Sequence, residues 1–484
     1  MTSNFTIELN SLLVALPEIF LISGIVVVLL IDLFLKSKFK QITYHLTHLC
    51  LLITGVLSFN LIGNPETVIF SNSFVLDDMG SVFKVFIAGS TMVAMVYSRH
   101  YLIEQGLFKG EYFVLILLAV FGMMVMASGS SLLTLYIGLE ILSLSLYTLI
   151  AIARNRSVSV EAALKYFILG AIASGLLLYG ISMVYGISGS INIEEIFAFA
   201  SGSNLAPRET LILNFGLVFL VIGIAFKLGA VPFHMWVPDV YEGAPTSVTM
   251  FLSTVPKIAA LAMLVRILID GLGPMHSYWS DLFIALSLLS IALGSVVAIM
   301  QTNIKRMLAY STISHVGFIM LGFVTGTISG YGSATFYVIV YVLMSLAAFG
   351  IVILLNSKGY EADNISDYKG LSKRSPWFAL VMLVVMLSMA GVPPFIGFYS
   401  KFFILQQVVS AGFLTIAIIA VVFAVISAYY YLQIIKSMYF DDSESEAVIK
   451  APMDMKIVLS INGALILVVG LFPDFWMKLA VSLF

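Results

Sequence analysis

Lys227, Lys257 and Lys401 each lie deep inside long apolar stretches, and Glu140 is a lone carboxylate in another. A charged side chain at the centre of a bilayer costs roughly 2.5–3.5 kcal/mol on insertion scales. Residues kept at that cost usually face the interior of a helix bundle, pair with one another and carry ions or protons. Glu140 sits in Leu-Tyr-Ile-Gly-Leu-Glu-Ile-Leu-Ser, about nine residues or ~13 Å into its helix, where a carboxylate has one use beyond capping a neighbouring helix: exchanging a proton. Lys227 precedes Pro232, and a helix broken there leaves free carbonyls that can solvate its ammonium. Lys257 follows Pro256, whose kink has room for a water. Lys401 lies in Gly-Phe-Tyr-Ser-Lys-Phe-Phe, beyond a second break.

His315 lies ten residues past Lys305, ~15 Å along the helix, and a histidine at that depth can bridge separated lysines as a relay. His234 and Lys165 are secondary candidates: the histidine suits a packed hydrogen bond equally well, and Lys165 lies near enough to a helix end to snorkel. Lys84 is expected to snorkel too. Glu18, Asp32 and Arg266 read as structural or interfacial. The charges at Glu140, Lys227, Lys257, His315 and Lys401 all come out near half depth on their own helices, whereas independent snorkelling groups would cluster at helix ends. A shared depth implies one polar line across the bundle.

The elements that must hold this line are membrane helices. Of 484 residues, 61% are hydrophobic and only 10% charged, a composition that excludes a soluble domain of this length. At ~20 apolar residues per crossing the chain makes about fourteen spans, from 12–35 to 456–480, an all-α polytopic bundle. One cysteine, Cys50, rules out a disulfide framework and a four-thiolate cluster. The six histidines show no haem or metal spacing, and no Gly-rich dinucleotide fingerprint is present. If the protein serves a redox machine, its electrons travel elsewhere.

Two spans carry a mid-helix break, Gly229-Ala-Val-Pro232 in the seventh (209–238) and Gly391-Val-Pro-Pro394 in the twelfth (376–409). Broken backbone at membrane depth survives only where protein or a water-filled cavity shelters it. The breaks are five spans apart, so spans 4–8 and 9–13 read as two inverted five-helix units. The expected division is an N-terminal three-helix segment at 1–105, the repeats at 106–275 and 276–440, and a last helix at 441–484. Loop lysines and arginines, from Lys36, Lys38, Arg99 and Arg154 through Lys358 and Lys373 to Lys450 and Lys456, fall on one side of this arrangement. Only Arg208 and Lys478 fall on the other. The lysine-rich side is then cytoplasmic and both termini face out, as in a bacterial inner membrane.

Five stretches together resemble a known family. They are Tyr136-Ile-Gly-Leu-Glu140-Ile-Leu-Ser-Leu, Glu161-Ala-Ala-Leu-Lys165-Tyr-Phe-Ile-Leu-Gly170, and Phe226-Lys-Leu-Gly-Ala-Val-Pro-Phe-His-Met-Trp-Val-Pro-Asp-Val-Tyr-Glu-Gly-Ala-Pro-Thr246. The other two are Asn303-Ile-Lys-Arg-Met-Leu-Ala-Tyr-Ser-Thr-Ile-Ser-His315 and Gly391-Val-Pro-Pro-Phe-Ile-Gly-Phe-Tyr-Ser-Lys401. The chain resembles the antiporter-like membrane subunits of respiratory complex I, NADH-quinone oxidoreductase. The Trp236–Pro245 form points to the N-subunit branch. The resemblance implies fourteen helices with inverted repeats, and proton translocation driven by quinone reduction in other subunits. It implies NAD, FMN, iron–sulfur clusters and quinone in the complex, with none bound by this chain. The partners it implies are other membrane-arm subunits, including another antiporter-like subunit and small membrane subunits. It also matches Glu140 and Lys227 to a glutamate–lysine pair, Lys257 to a connecting lysine, His315 to a relay position and Lys401 to an exit lysine. Core subunits of multisubunit sodium/proton antiporters share the bundle and give the alternative function.

Overall fold

The computed structural model describes residues 9–36, 39–202, 206–356, 361–442 and 451–484; Lys38, Lys358 and Lys450 lie outside the described residues. Among the described residues, thirteen helices are long and apolar enough to cross a membrane. Spans 1–6 are Leu16–Phe34, Gln41–Phe59, Asp78–Glu104, Gly110–Ser128, Leu132–Ile150 and Ser157–Ser188. Span 7 is Pro207–Leu228, resumed after a break as Trp236–Gly243. Spans 8–11 are Thr246–Gly271, Gly273–Ile299, Ile304–Val324 and Ile328–Leu355, and spans 13 and 14 are Leu414–Phe440 and Met453–Leu471. Span 12 brings the tally to fourteen. Neither of its halves, Pro376–Ala390 and Ile396–Ser410, reaches membrane length alone.

Both breaks are built alike. Gly229 and Gly391 take left-handed φ values of 82° and 87°, which a glycine adopts without steric penalty. Ala230 N–H then bonds back to Ala225 O and Val392 N–H to Leu387 O, closing the same six-residue helix end twice. The weak likeness of G-A-V-P-F to G-V-P-P-F therefore hides one shared backbone device. Each break also contains a cis X–Pro peptide, Val231–Pro232 and Pro393–Pro394. Span 8 has its own interruption, one helix closing at Thr254 and the next opening at Pro256.

The core sits in spans 8 and 10, each 94% buried along its most apolar window, while span 13 is only 28% buried and faces outward. Small residues set the approach of the helices that carry the site. A Cβ on Gly122 would stand 2.7 Å from Gly138 O, locking span 4 against span 5, and one on Gly180 would stand 2.9 Å from Gly216 O, locking span 6 against span 7. The all-α expectation omits one element, a hairpin of Thr67–Ile69 and Phe74–Leu76 between spans 2 and 3. Strands of three residues are too short for a period-2 pattern to register in sequence.

On the lysine-rich face a buried clasp joins the halves. Lys305, at the start of span 10, pairs with Glu361 at 3.3 Å and Asp363 at 3.0 Å. Glu361 also takes Arg156 and, at 3.0 Å, the Tyr101 hydroxyl, which itself accepts Thr246 N–H at the start of span 8. Burial alone would raise the Glu361 carboxyl, but Lys305, Arg156 and Tyr101 outweigh it and hold it below the ordinary 4.5. Asp363 moves the opposite way: burial, with the Glu361 carboxylate beside it, outweighs Lys305 and Arg156, and its second oxygen has no partner among the described residues. A depressed carboxyl stabilises the fold above its unfolded value and loses that contribution as pH falls through the folded value. Acidification below 4.5 should therefore loosen the loop at 361–368 before the spans open. Amide hydrogen exchange read loop by loop checks this, and pH-independent protection of 361–368 contradicts it.

Candidate functional site

Lys227 closes the first half of span 7. Its side chain runs back along the helix, as helical side chains do, and donates to Ser143 Oγ at 3.1 Å on span 5. One freed carbonyl of the break goes to a different lysine, correcting the sequence expectation. Lys257, reaching across from span 8, donates to Leu228 O at 2.6 Å, with its ammonium 5.9 Å over the Trp236 ring. Lys227 turns away from the break it precedes, in keeping with a Cβ that points to the helix N-terminus. Glu140 lies one turn before Ser143 on span 5 and accepts from Ser174 of span 6, whose hydroxyl is also 3.1 Å from Tyr136. Glu140 and Lys227 make no direct ion pair. They line one cavity of about 10 Å³ with Ser143, Tyr147 and Ser174, close to the space one water requires.

The second break repeats the arrangement of the first. Lys401, on the far half of span 12, donates to Met389 O at 3.0 Å and Ala390 O at 3.2 Å, the carbonyls that Gly391 frees. Its ammonium lies 5.6 Å over Phe318, one turn along span 10 from His315. His315 is enclosed by hydroxyls: Nδ1 is 2.7 Å from Tyr337 and Nε2 3.0 Å from Tyr431, and Tyr431 is 2.5 Å from Ser311. With both ring nitrogens bonded, one donates and the other accepts, so an imidazole here can hand a proton across itself. Between His315 and Lys257 stand two more hydroxyls. Thr312, one turn from His315, is 2.8 Å from Tyr341, which donates to Ser253 O at 3.0 Å, one turn before Lys257.

The transmembrane family described as NADH:quinone oxidoreductase/Mrp antiporter matches residues 129–427, which hold every group just placed except Tyr431. The chain is 74% identical to NADH-quinone oxidoreductase subunit N of Ruthia magnifica subsp. Calyptogena magnifica, over 99% of both chains. It is 50% identical to the subunit of the same name from Thioalkalivibrio sulfidiphilus, over 98% of both. Respiratory complex I from Thermus thermophilus contains a chain that superposes with a TM-score of 0.81 at 29% identity, covering 96% of this chain and 98% of that one. The protein belongs to the NADH:quinone oxidoreductase/Mrp antiporter family.

Within this antiporter-family bundle the remaining sequence candidates separate. Lys165 is half exposed on the lysine-rich face, paired with Asp239 at 2.8 Å and Glu161 at 2.9 Å, away from the central line. His234 is buried in the first break, its Nδ1 without a partner among the described residues. Arg266 is structural as expected, bound to Asp77 at 2.8 Å and to Ala127 O at 2.9 Å. Lys84 does not snorkel: it is 1% exposed and pairs with Glu18 at 2.6 Å. A carboxylate on span 1 meets it within the bundle, which removes the reason to reach for the surface. Sequence reading missed Ser143, Ser174, Tyr337, Tyr341 and Tyr431. Ser143 had a signal, one turn from Glu140. The tyrosines, on spans 11 and 13, had none.

Proposed function

We propose that this chain is the proton-translocating N subunit of a bacterial NADH-quinone oxidoreductase, in which Glu140, Lys227, Lys257, His315 and Lys401 pass protons along the mid-membrane line. One contrast carries the reading. Lys84 and Lys305, equally buried, are pinned by carboxylates. Lys227, Lys257 and Lys401 instead meet a hydroxyl or main-chain carbonyls, and none makes an ion pair among the described residues. An ammonium held by a carboxylate keeps its proton. One held by neutral acceptors can release it to a neighbouring hydroxyl or water, and its charge is then governed by whichever charges sit nearby.

Ser143 and the small cavity couple Glu140 to Lys227; Leu228 O joins Lys227's helix to Lys257; Tyr341 and Thr312 lead to His315; Phe318 seats Lys401 beside it. In this reading the repeats at 106–275 and 276–440 each supply one broken helix and one lysine docked on it, and Lys165 and His234 are accessory. The lysine-rich face is cytoplasmic and both termini lie outside, in the inner membrane. Glu140 is only half buried, at the rim of spans 5 and 6, where a neighbouring membrane-arm subunit would cover it. NAD, FMN, iron–sulfur clusters and quinone belong to other subunits of the complex, whose quinone reduction supplies the drive.

The test is Glu140→Gln in the whole complex, reconstituted in vesicles and supplied with NADH and quinone. The isosteric amide should assemble normally and lower proton pumping at least about ten-fold, short of the roughly hundred-fold at which the typical cost of a lost proton-transfer group begins. Wild-type pumping by the assembled variant rejects the role.

A further inference from the structure

A second buried charge system lies outside the central relay, toward the face opposite the lysine-rich one. Glu18 and Lys84 pair at 2.6 Å, with side-chain exposures of 9% and 1%. Apart from that contact, both Glu18 oxygens and Lys84 Nζ lack a hydrogen-bond partner among the described residues, and so do the buried hydroxyls of Ser81 and Ser128. Asp77, Ser81 and Lys84 follow one another at intervals of four and three, on one face of span 3. A Cβ on Gly80 would stand 2.8 Å from Asp77 Oδ1, 3.1 Å from Ala127 O and 3.4 Å from Ser128 Oγ, so Asp77 and the Ser128 hydroxyl both border Gly80. Asp77 holds Arg266, and Arg266 with Asp270 lines an open cavity of about 400 Å³. Glu66 and Glu194 add two carboxylates to its wall.

Buried polar atoms without protein partners mark places where water completes the bonding. Here Ser81 lies one turn from Lys84 toward Asp77, and Asp77's partner Arg266 lines an acidic, water-accessible cavity. The hairpin touches both the ion pair and the cavity. Phe74 covers Lys84 with its ring centre 4.9 Å from Nζ, while the next residue, Val75, faces the opposite way and lines the cavity.

We propose that Glu18 is a proton-exchange site served by this cavity, with Lys84 as its fixed counter-charge and Ser81, Ser128 and Asp77 lining a hydrated file to the outer aqueous phase. The step is one proton: hydronium in the file gives a proton to the Glu18 carboxylate and becomes water, leaving a neutral carboxyl beside the Lys84 ammonium. The reverse step releases the proton outward. The site gives the subunit an outer-side proton store separate from the Lys401 end of the relay. It rests on the proposed orientation and on the reading of the chain as a proton-moving subunit.

Cysteine accessibility in the assembled complex tests the file without reference to pumping. In a Cys50→Ala background, Ser81→Cys should react with a small cationic methanethiosulfonate applied from the outer side. It should react about ten-fold faster than with the anionic analogue, because the acidic cavity concentrates cations. Mass spectrometry of this chain reads the label, with Asn72→Cys on the cavity wall as the reactive control. Ser81→Cys protected while Asn72→Cys is labelled overturns the file. Glu18→Gln should lower protons pumped per NADH at least two-fold, and Glu18→Asp should restore them; unchanged pumping in Glu18→Gln overturns the exchange site. Failure of the relay reading would show separately, as wild-type pumping in Glu140→Gln with Ser81→Cys still labelled.

Discussion

Lys257→Met should assemble into the complex and pump protons about a hundred-fold more slowly than the parent. Methionine matches the length of the lysine stem and fills an apolar slot without an ammonium. Exchanging a buried charge for an apolar group of similar volume is commonly neutral or stabilising. The bond that disappears is the one to Leu228 O, a carbonyl with a second lone pair and a neighbouring break in which water can substitute. Assembly is therefore preserved. Proton transfer is not, because Lys257 stands between the Lys227 side of the bundle and the hydroxyls of Tyr341 and Thr312. Transfer requires partners within about 2.6–3.2 Å, or one water between them, and a methionine thioether neither donates nor carries a proton.

The companion variant is Lys257→Arg. Arginine keeps the charge and can still bond Leu228 O, yet it does not deprotonate in proteins. It should be as slow as methionine if the lysine works by releasing its proton, and close to wild type if only a fixed positive charge is needed. NADH–quinone turnover and pH-gradient formation in inverted vesicles, normalised to assembled complex on a native gel, give the answer. Wild-type gradients in Lys257→Met would remove this lysine from the path.

Much of this site was legible in the sequence because bilayer burial makes charge conspicuous. Lys227, Lys257 and Lys401 announce themselves by type, and the prolines in the two breaks announce the discontinuity. Partners were not legible, since a partner is a property of packing. The carbonyl that Lys227 was expected to use belongs to Lys257, a difference fixed by the direction of a helical side chain. Position alone makes Lys84 a snorkelling residue, and its glutamate lies some sixty-six positions earlier in the chain, on span 1. The tyrosines around His315 sit among many other aromatic residues, where only the fold selects the three that face the imidazole side of span 10. The hairpin escaped because its strands hold three residues each, and its importance appears only when Phe74 is seen over Lys84.

The largest expected loss of stability comes from one added methyl group. A Cβ on Gly397 would stand 1.9 Å from Ser388 O and 2.7 Å from its carbonyl carbon. Those are main-chain atoms of the other half of span 12, so no side-chain rotation relieves the overlap. Gly397 N–H also donates to Ser388 Oγ at 3.0 Å, tying the halves together at the point where the methyl must enter. Met389 O and Ala390 O, the acceptors of Lys401, follow Ser388 directly. Displacing one half to admit the methyl therefore moves the lysine's cradle along with the helix. Overpacking a tight core costs about 1–3 kcal/mol, and more where backbone must shift; Gly397→Ala should reach about 3 kcal/mol or beyond and deplete the assembled complex. Gly175→Ala is the control, since nothing lies within 4 Å of a Cβ on that exposed face of span 6, and alanine there gains up to about 1 kcal/mol in helix propensity. Thermal aggregation of the purified complexes should place Gly397→Ala well below wild type and Gly175→Ala at or above it. Equal midpoints for the two variants would mean that span 12 tolerates separation of its halves, and that the contact at Ser388 does not hold the second break closed.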